Sequence, residues 1–164
     1  MTMPSFFRPG MRAYFVPFVA GVVLAGSAFL PWVRVQDVSM PGVPDVEALW
    51  IVGLGALAAL LALLSLITRK NSRHPLLLIG LFALGLMFLS WRIVPTTAGE
   101  RASTIAQAFA IVENTPIGAA PVAEIGVGIY LGLAAASVLV AFGLTIVIKR
   151  AAHPYAVTSA DDDV

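Results

Sequence analysis

VEALWIVGLGALAALLALLSLIT, Val46–Thr68, decides the fold. Its single charged residue, Glu47, stands at the start, and everything after Trp50 is apolar or small apart from Ser65 and the closing Thr68. As a helix rising 1.5 Å per residue the stretch reaches about 34 Å, enough to cross the hydrocarbon core of a bilayer. Three further stretches read the same way: residues 13–33, 76–94 and 124–148. Of the 164 residues 59% are hydrophobic and 12% charged. A soluble domain carries about 25% charged residues, and one this apolar would expose greasy surface that monomers avoid. The reading is an all-α integral membrane protein with four transmembrane helices. They form a single domain over residues 1–150, followed by a flexible cytoplasmic tail over residues 151–164. No strand is evident.

The connections agree with that count. Arg8 and Arg12 precede the first run, which is longer than the apolar core of a signal peptide and so reads as an uncleaved span. Pro41, Gly42 and Pro44 mark a turn before the second span. There Asp45 is placed to cap the helix, with Glu47 in its first turn, where acids favour the positive helix end. TRKNSRH, Thr68–His74, is a tight cationic turn, and Pro75 suits the first turn of the third helix. Lys149 and Arg150 stop the fourth.

Orientation follows from the cations. Arg8, Arg12, Arg69, Lys70, Arg73, Lys149 and Arg150 fall on one side, seven of the ten Lys and Arg. The positive-inside rule then places both termini in the cytoplasm. Arg34, Arg92 and Arg101 are left outside, with Asp37, Asp45, Glu47, Glu100, Glu113 and Glu124. Trp32, Trp50 and Trp91 all fall at the outer interface, with Arg92 beside them, and read first as an aromatic belt at headgroup depth.

The one substantial polar stretch is PTTAGERASTIAQAFAIVENTPIGAAP, Pro95–Pro121. Thr97 and Glu100 have the spacing of a capping box. Ala98, Ala102, Ile105, Phe109 and Val112 then recur at helical steps, with Arg101, Thr104 and Gln107 opposite. The expectation is a separate amphipathic outer helix over residues 98–113, ended by Asn114-Thr115-Pro116. Its polar face lacks the cationic character of a membrane-surface helix, so Ile105 and Phe109 are expected to pack on protein.

Helices in lipid associate by close contact of small residues. Gly128, Gly132 and Ala136 make such a stripe on the fourth span; Gly21 and Ala25, and Ala58 and Ala62, offer smaller ones. They read first as internal packing and second as a subunit interface. Chemistry is conspicuous by what is missing. There is no cysteine, hence no disulfide, thiolate or lipid anchor; in the lipobox-like Leu24-Ala25-Gly26-Ser27, serine stands where cysteine would be. The middles of the spans hold no ionisable group, which carriers and proton relays require. His74 and His153 lie at the edges, and Asp161–Asp163 lack the spacing of a calcium loop. No cofactor, metal or nucleic-acid partner is implied. Claudin-like tetraspan proteins share the span count and an outer tryptophan motif, but this chain lacks their outer-loop cysteine pair. Its larger outer segment also comes between spans three and four.

The expected role is a non-catalytic accessory subunit of a larger membrane complex in a prokaryotic cytoplasmic membrane, an energy-transducing complex among the candidates. Its partners would be the bilayer and other subunits or itself. The alternatives are a component of an oligomeric channel or transporter, or a small sensor of a lipophilic ligand near the outer interface.

Overall fold

The computed structural model describes residues 12–68, 73–116, 118–119 and 121–151. Seven elements follow a short 3-10 turn at Arg12–Tyr14: α1 (Phe15–Ser27), β1 (Pro31–Val35), β2 (Val38–Pro41), α2 (Val46–Thr68), α3 (Arg73–Val112), β3 (Ala123–Ile125) and α4 (Val127–Ala151). The protein is mostly helical. Three helices are long and apolar enough to cross a membrane: α2, α3 from His74, and α4 as far as Thr145. Leu60, Leu64, Leu78, Phe82, Phe88 and Leu144 point outward from them, a surface suited to lipid and ill suited to water.

The first expected span is corrected. The helix stops at Ser27 after 13 residues, about 20 Å, and residues 31–35 are a strand. Pro31 disfavours continuing the helix, because its ring clashes with the carbonyl of the preceding turn. The chain tightens before it, with Phe29 N–H donating to Gly26 O at 3.1 Å and Leu30 N–H to Ser27 O at 3.3 Å. The all-α expectation falls with it. β1 is the centre of a three-stranded antiparallel sheet ordered β2-β1-β3. Val35 pairs with Val38 across the hairpin, where Gln36 takes a left-handed φ of 55°, and Val33 pairs with Ile125 of β3.

α2 occupies the residues expected of it, with the Asp45 carbonyl accepting from Leu49 N–H at 3.1 Å to open the helix. The third expectation is corrected by fusion: residues 76–94 and 98–112 belong to one helix of 40 residues, with Pro95 inside it. The proline removes one donor, and neighbouring hydroxyls re-satisfy carbonyls around such breaks. Thr96 Oγ1 donates to Ile93 O at 2.8 Å and Thr97 Oγ1 to Val94 O at 3.1 Å. Thr97 thus serves the preceding turn, and the capping box does not form. The end comes where expected. Asn114 adopts φ 51°, its N–H donates to Ile111 O, and Thr115 N–H reaches Ala110 O at 3.0 Å. That is a Schellman motif. α4 starts at Val127, three residues after the expected 124, and Glu124 lies in β3. The expected tail beyond Ala151 and most of the cationic turn, residues 69–72, lie outside the described residues.

Backbones meet at glycine in both helix pairs. At the α1–α2 contact, a Cβ on Gly55 would lie 2.5 Å from Ala25 N and 2.7 Å from Gly21 O. At the α3–α4 contact, one on Gly143 would lie 2.7 Å from Leu77 Cα, and one on Gly80 2.9 Å from Val140 N. Such approach gives dispersion contact that lipid cannot replace. α1 also packs on α4, so the helices close around Leu24, Ile51, Met87, Ile129 and Leu139, all fully buried. Two buried hydroxyls serve their own helices: Ser27 Oγ donates to Leu24 O at 2.7 Å and Ser65 Oγ to Leu61 O at 2.8 Å.

Candidate functional site

The sheet end of the bundle is built on Trp32. β1 pairs regularly from Val33 to Val35, but its register shifts between Pro31 and Val33. A strand should alternate its side chains between faces; the bulge lets Trp32 and Val33 both turn inward, 2% and 1% exposed. The indole Nε1–H donates to Ser27 O at 3.0 Å. The Trp32 carbonyl accepts from Gly126 N–H at 2.7 Å, and Val43 N–H donates to Ala28 O at 3.0 Å. Glycine flanks the ring: a Cβ on Gly42 would lie 2.5 Å from it and one on Gly128 2.7 Å. Trp32 is therefore a post joining α1, the β2–α2 loop and α4, and it leaves the expected tryptophan belt. The other two differ. Trp50 is exposed on α2, as a belt residue would be. Trp91 is half-buried against Phe88, ring centroids 5.7 Å apart, and its Nε1–H has no protein partner among the described residues.

Beyond this post α3 keeps going. Its 40 residues span about 60 Å, twice a bilayer core of about 30 Å. The half before Pro95 is the apolar one; the half after it carries Thr96, Thr97, Glu100, Arg101, Ser103, Thr104 and Gln107. Between that half, the β1–β2 hairpin and the start of α2 lies a cleft of 810 Å³. From α3 it is lined by Ile93, Val94, Thr97, Ala98, Arg101, Ala102, Ile105 and Ala106, spaced as one helical face. Opposite stand Met40, Pro41, Asp45, Val46 and Glu47, with Gln36 at the hairpin. Arg101, expected on the face away from Ala98 and Ile105, shares the cleft with them. No ion pair joins Arg101 to Asp45 or Glu47.

The other expected site residues divide. Gly128, Gly132 and Ala136 are buried inside the bundle. A Cβ on Gly132 would lie 2.9 Å from Ser27 Oγ and against the Met87 methyl, and one on Gly128 2.7 Å from Ser27 O; Ala136 is fully buried. The stripe is spent on internal packing. Ile105 and Phe109 are 57% and 62% exposed, and past them Ile111 and Val112 reach 74% and 83%. Arg92 is exposed. No protein-family model matches this chain, and no curated protein or solved structure is significantly similar to it. Among the described residues no three His, Cys, Asp or Glu gather as metal ligands would.

The cleft and the bare end of α3 could not be read from the sequence, because both depend on α3 continuing through Pro95. One signal bore on it: a capping-box pattern is weaker when threonine can bond back to its own helix.

Proposed function

We propose that this protein is a non-catalytic membrane subunit that assembles with a partner through the outer half of α3. It would sit in a prokaryotic cytoplasmic membrane with both termini cytoplasmic, α1 and its flanking apolar residues making the fourth crossing. The observation that carries the reading is the bare apolar end of α3. Ile105, Phe109, Ile111 and Val112 are largely exposed on the half of α3 after Pro95, the half that carries its polar residues, and in this reading that half stands outside the bilayer. Large apolar residues gathered on exposed surface mark interaction sites, and buried aromatic anchors dominate interface energies. The small-residue stripes support the same reading by elimination. They are used inside the bundle, which leaves this end of α3 for assembly.

The test is purification from the native membrane in a mild detergent, with neighbours identified by cross-linking and mass spectrometry. The expected result is a complex from which Phe109→Asp releases the chain while its melting curve is unchanged. A protein recovered solely as monomer, or a complex indifferent to Phe109→Asp, ends this reading. A second reading, a binder of an amphipathic ligand at the outer interface, is favoured by the cleft beside α3.

A further inference from the structure

We infer that the cleft between the hairpin and the outer half of α3 holds one phospholipid with a primary-amine headgroup, of the phosphatidylethanolamine type, taken from the outer leaflet. The inference rests on that second reading and not on assembly, so loss of the partner complex leaves it standing.

Depth comes first. The cleft begins at Ile93 and Val94, at the end of the apolar half of α3, and at Val46, the first residue of α2. Trp50 lies one turn along α2 from Val46 and is 61% exposed, where an indole marks headgroup level. A molecule in this cleft therefore has its polar part among headgroups and its apolar part beside the chains. At 810 Å³ the space is of the order of small-molecule pockets, roughly 300–1,000 Å³.

Charge then selects the headgroup. One wall offers the Arg101 guanidinium, a planar donor fork that fits phosphate oxygens. The facing wall offers Asp45 and Glu47, acceptors for an ammonium group. The two sides do not neutralise one another across the gap, so a zwitterion can answer both at once, phosphate toward Arg101 and ammonium toward the carboxylates. A lipid with phosphate alone would gain the arginine but leave two carboxylates facing a like charge. Met40, Pro41, Ile93 and Val94 supply apolar wall for the glycerol and upper chain.

The full chain is extracted into detergent and offered equal amounts of phosphatidylethanolamine and phosphatidylglycerol. It is then passed through gel filtration and weighed by native mass spectrometry. The expected result is one retained phosphatidylethanolamine per chain, with phosphatidylglycerol retained about tenfold less. Arg101→Glu should lower retention of the amine lipid by about tenfold, with helicity and melting temperature unchanged. Should Arg101→Glu misfold, Glu47→Lys on the exposed first turn of α2 serves in its place, with the same expected loss. The inference is overturned by any of four results: no retained lipid, phosphatidylglycerol held as well as the amine lipid, retention indifferent to the folded variant, or a co-purifying polypeptide in the cleft.

Discussion

Gly53 and Gly55 lie two residues apart on α2 and should respond to the same substitution in opposite ways. A Cβ on Gly53 meets nothing within 4 Å. One on Gly55 would lie 2.5 Å from Ala25 N, 2.7 Å from Gly21 O and 2.9 Å from Ala25 Cβ, against an ordinary contact beginning at 3.4 Å. Two of the three obstacles are backbone, which cannot swing aside as a side chain would. Relief requires α1 and α2 to part by about 0.9 Å, and a gap of that size forfeits a quarter to a half of each dispersion well along the seam. Overpacking of this kind costs about 1–3 kcal/mol. Alanine also improves helix propensity over glycine by up to about 1 kcal/mol, but that gain is common to both sites and cancels in the comparison. Gly55→Ala should therefore be about 2 kcal/mol less stable than Gly53→Ala, near thirtyfold in the unfolding equilibrium. The measurement is an SDS titration in mixed micelles, followed by tryptophan fluorescence and far-UV circular dichroism. If the two variants unfold within about 0.5 kcal/mol of each other, the α1–α2 backbone contact does not govern stability and the reasoning is refuted.

Two further outcomes are expected. Trp32→Phe removes the indole donor from the buried Ser27 carbonyl and should destabilise by about 1–3 kcal/mol in the same titration; a change below about 0.5 kcal/mol would mean that the post does not hold the sheet end. Because the chain has no cysteine, Ile111→Cys gives a single labelling site, which should react in intact cells with a membrane-impermeant maleimide. Leu60→Cys, within α2, should not, and an Ile111→Cys that reacts only after the cells are permeabilised would overturn the proposed orientation.

Much of the helical architecture was legible because the spans are chemically loud. α2 needed only its length and its lack of charge. The end of α3 at Asn114 was legible because asparagine tolerates a left-handed backbone. Residues 28–35 were not. Phe29, Leu30, Trp32, Val33 and Val35 are as apolar as the helix before them, and a buried strand has no alternation to distinguish it from a helix end. Pro31 was the available clue, and proline inside transmembrane helices is common enough to blunt it. The clue failed in the opposite direction at Pro95, where the helix goes on. β3 is three residues long, too short for any periodicity. Trp32 shows the same ambiguity in a single side chain: an indole near a membrane boundary suits a belt or a core, and what settled it was Gly42 and Gly128, one on each side, distant in sequence.

The pairing of β1 with β3 has a consequence for the order of synthesis. Val33 emerges early and finds Ile125 only after α2 and α3 have been made and inserted. Until then the central strand has one open edge, and Trp32 lacks the Gly126 donor and the Gly128 surface that complete its seat. Contacts so far apart in the chain are slow to form and leave pairing edges open meanwhile. A chain stalled before residue 123 would thus carry correctly inserted helices and still present an unfinished sheet edge. For a protein of this design, membrane quality control would have one strand to watch.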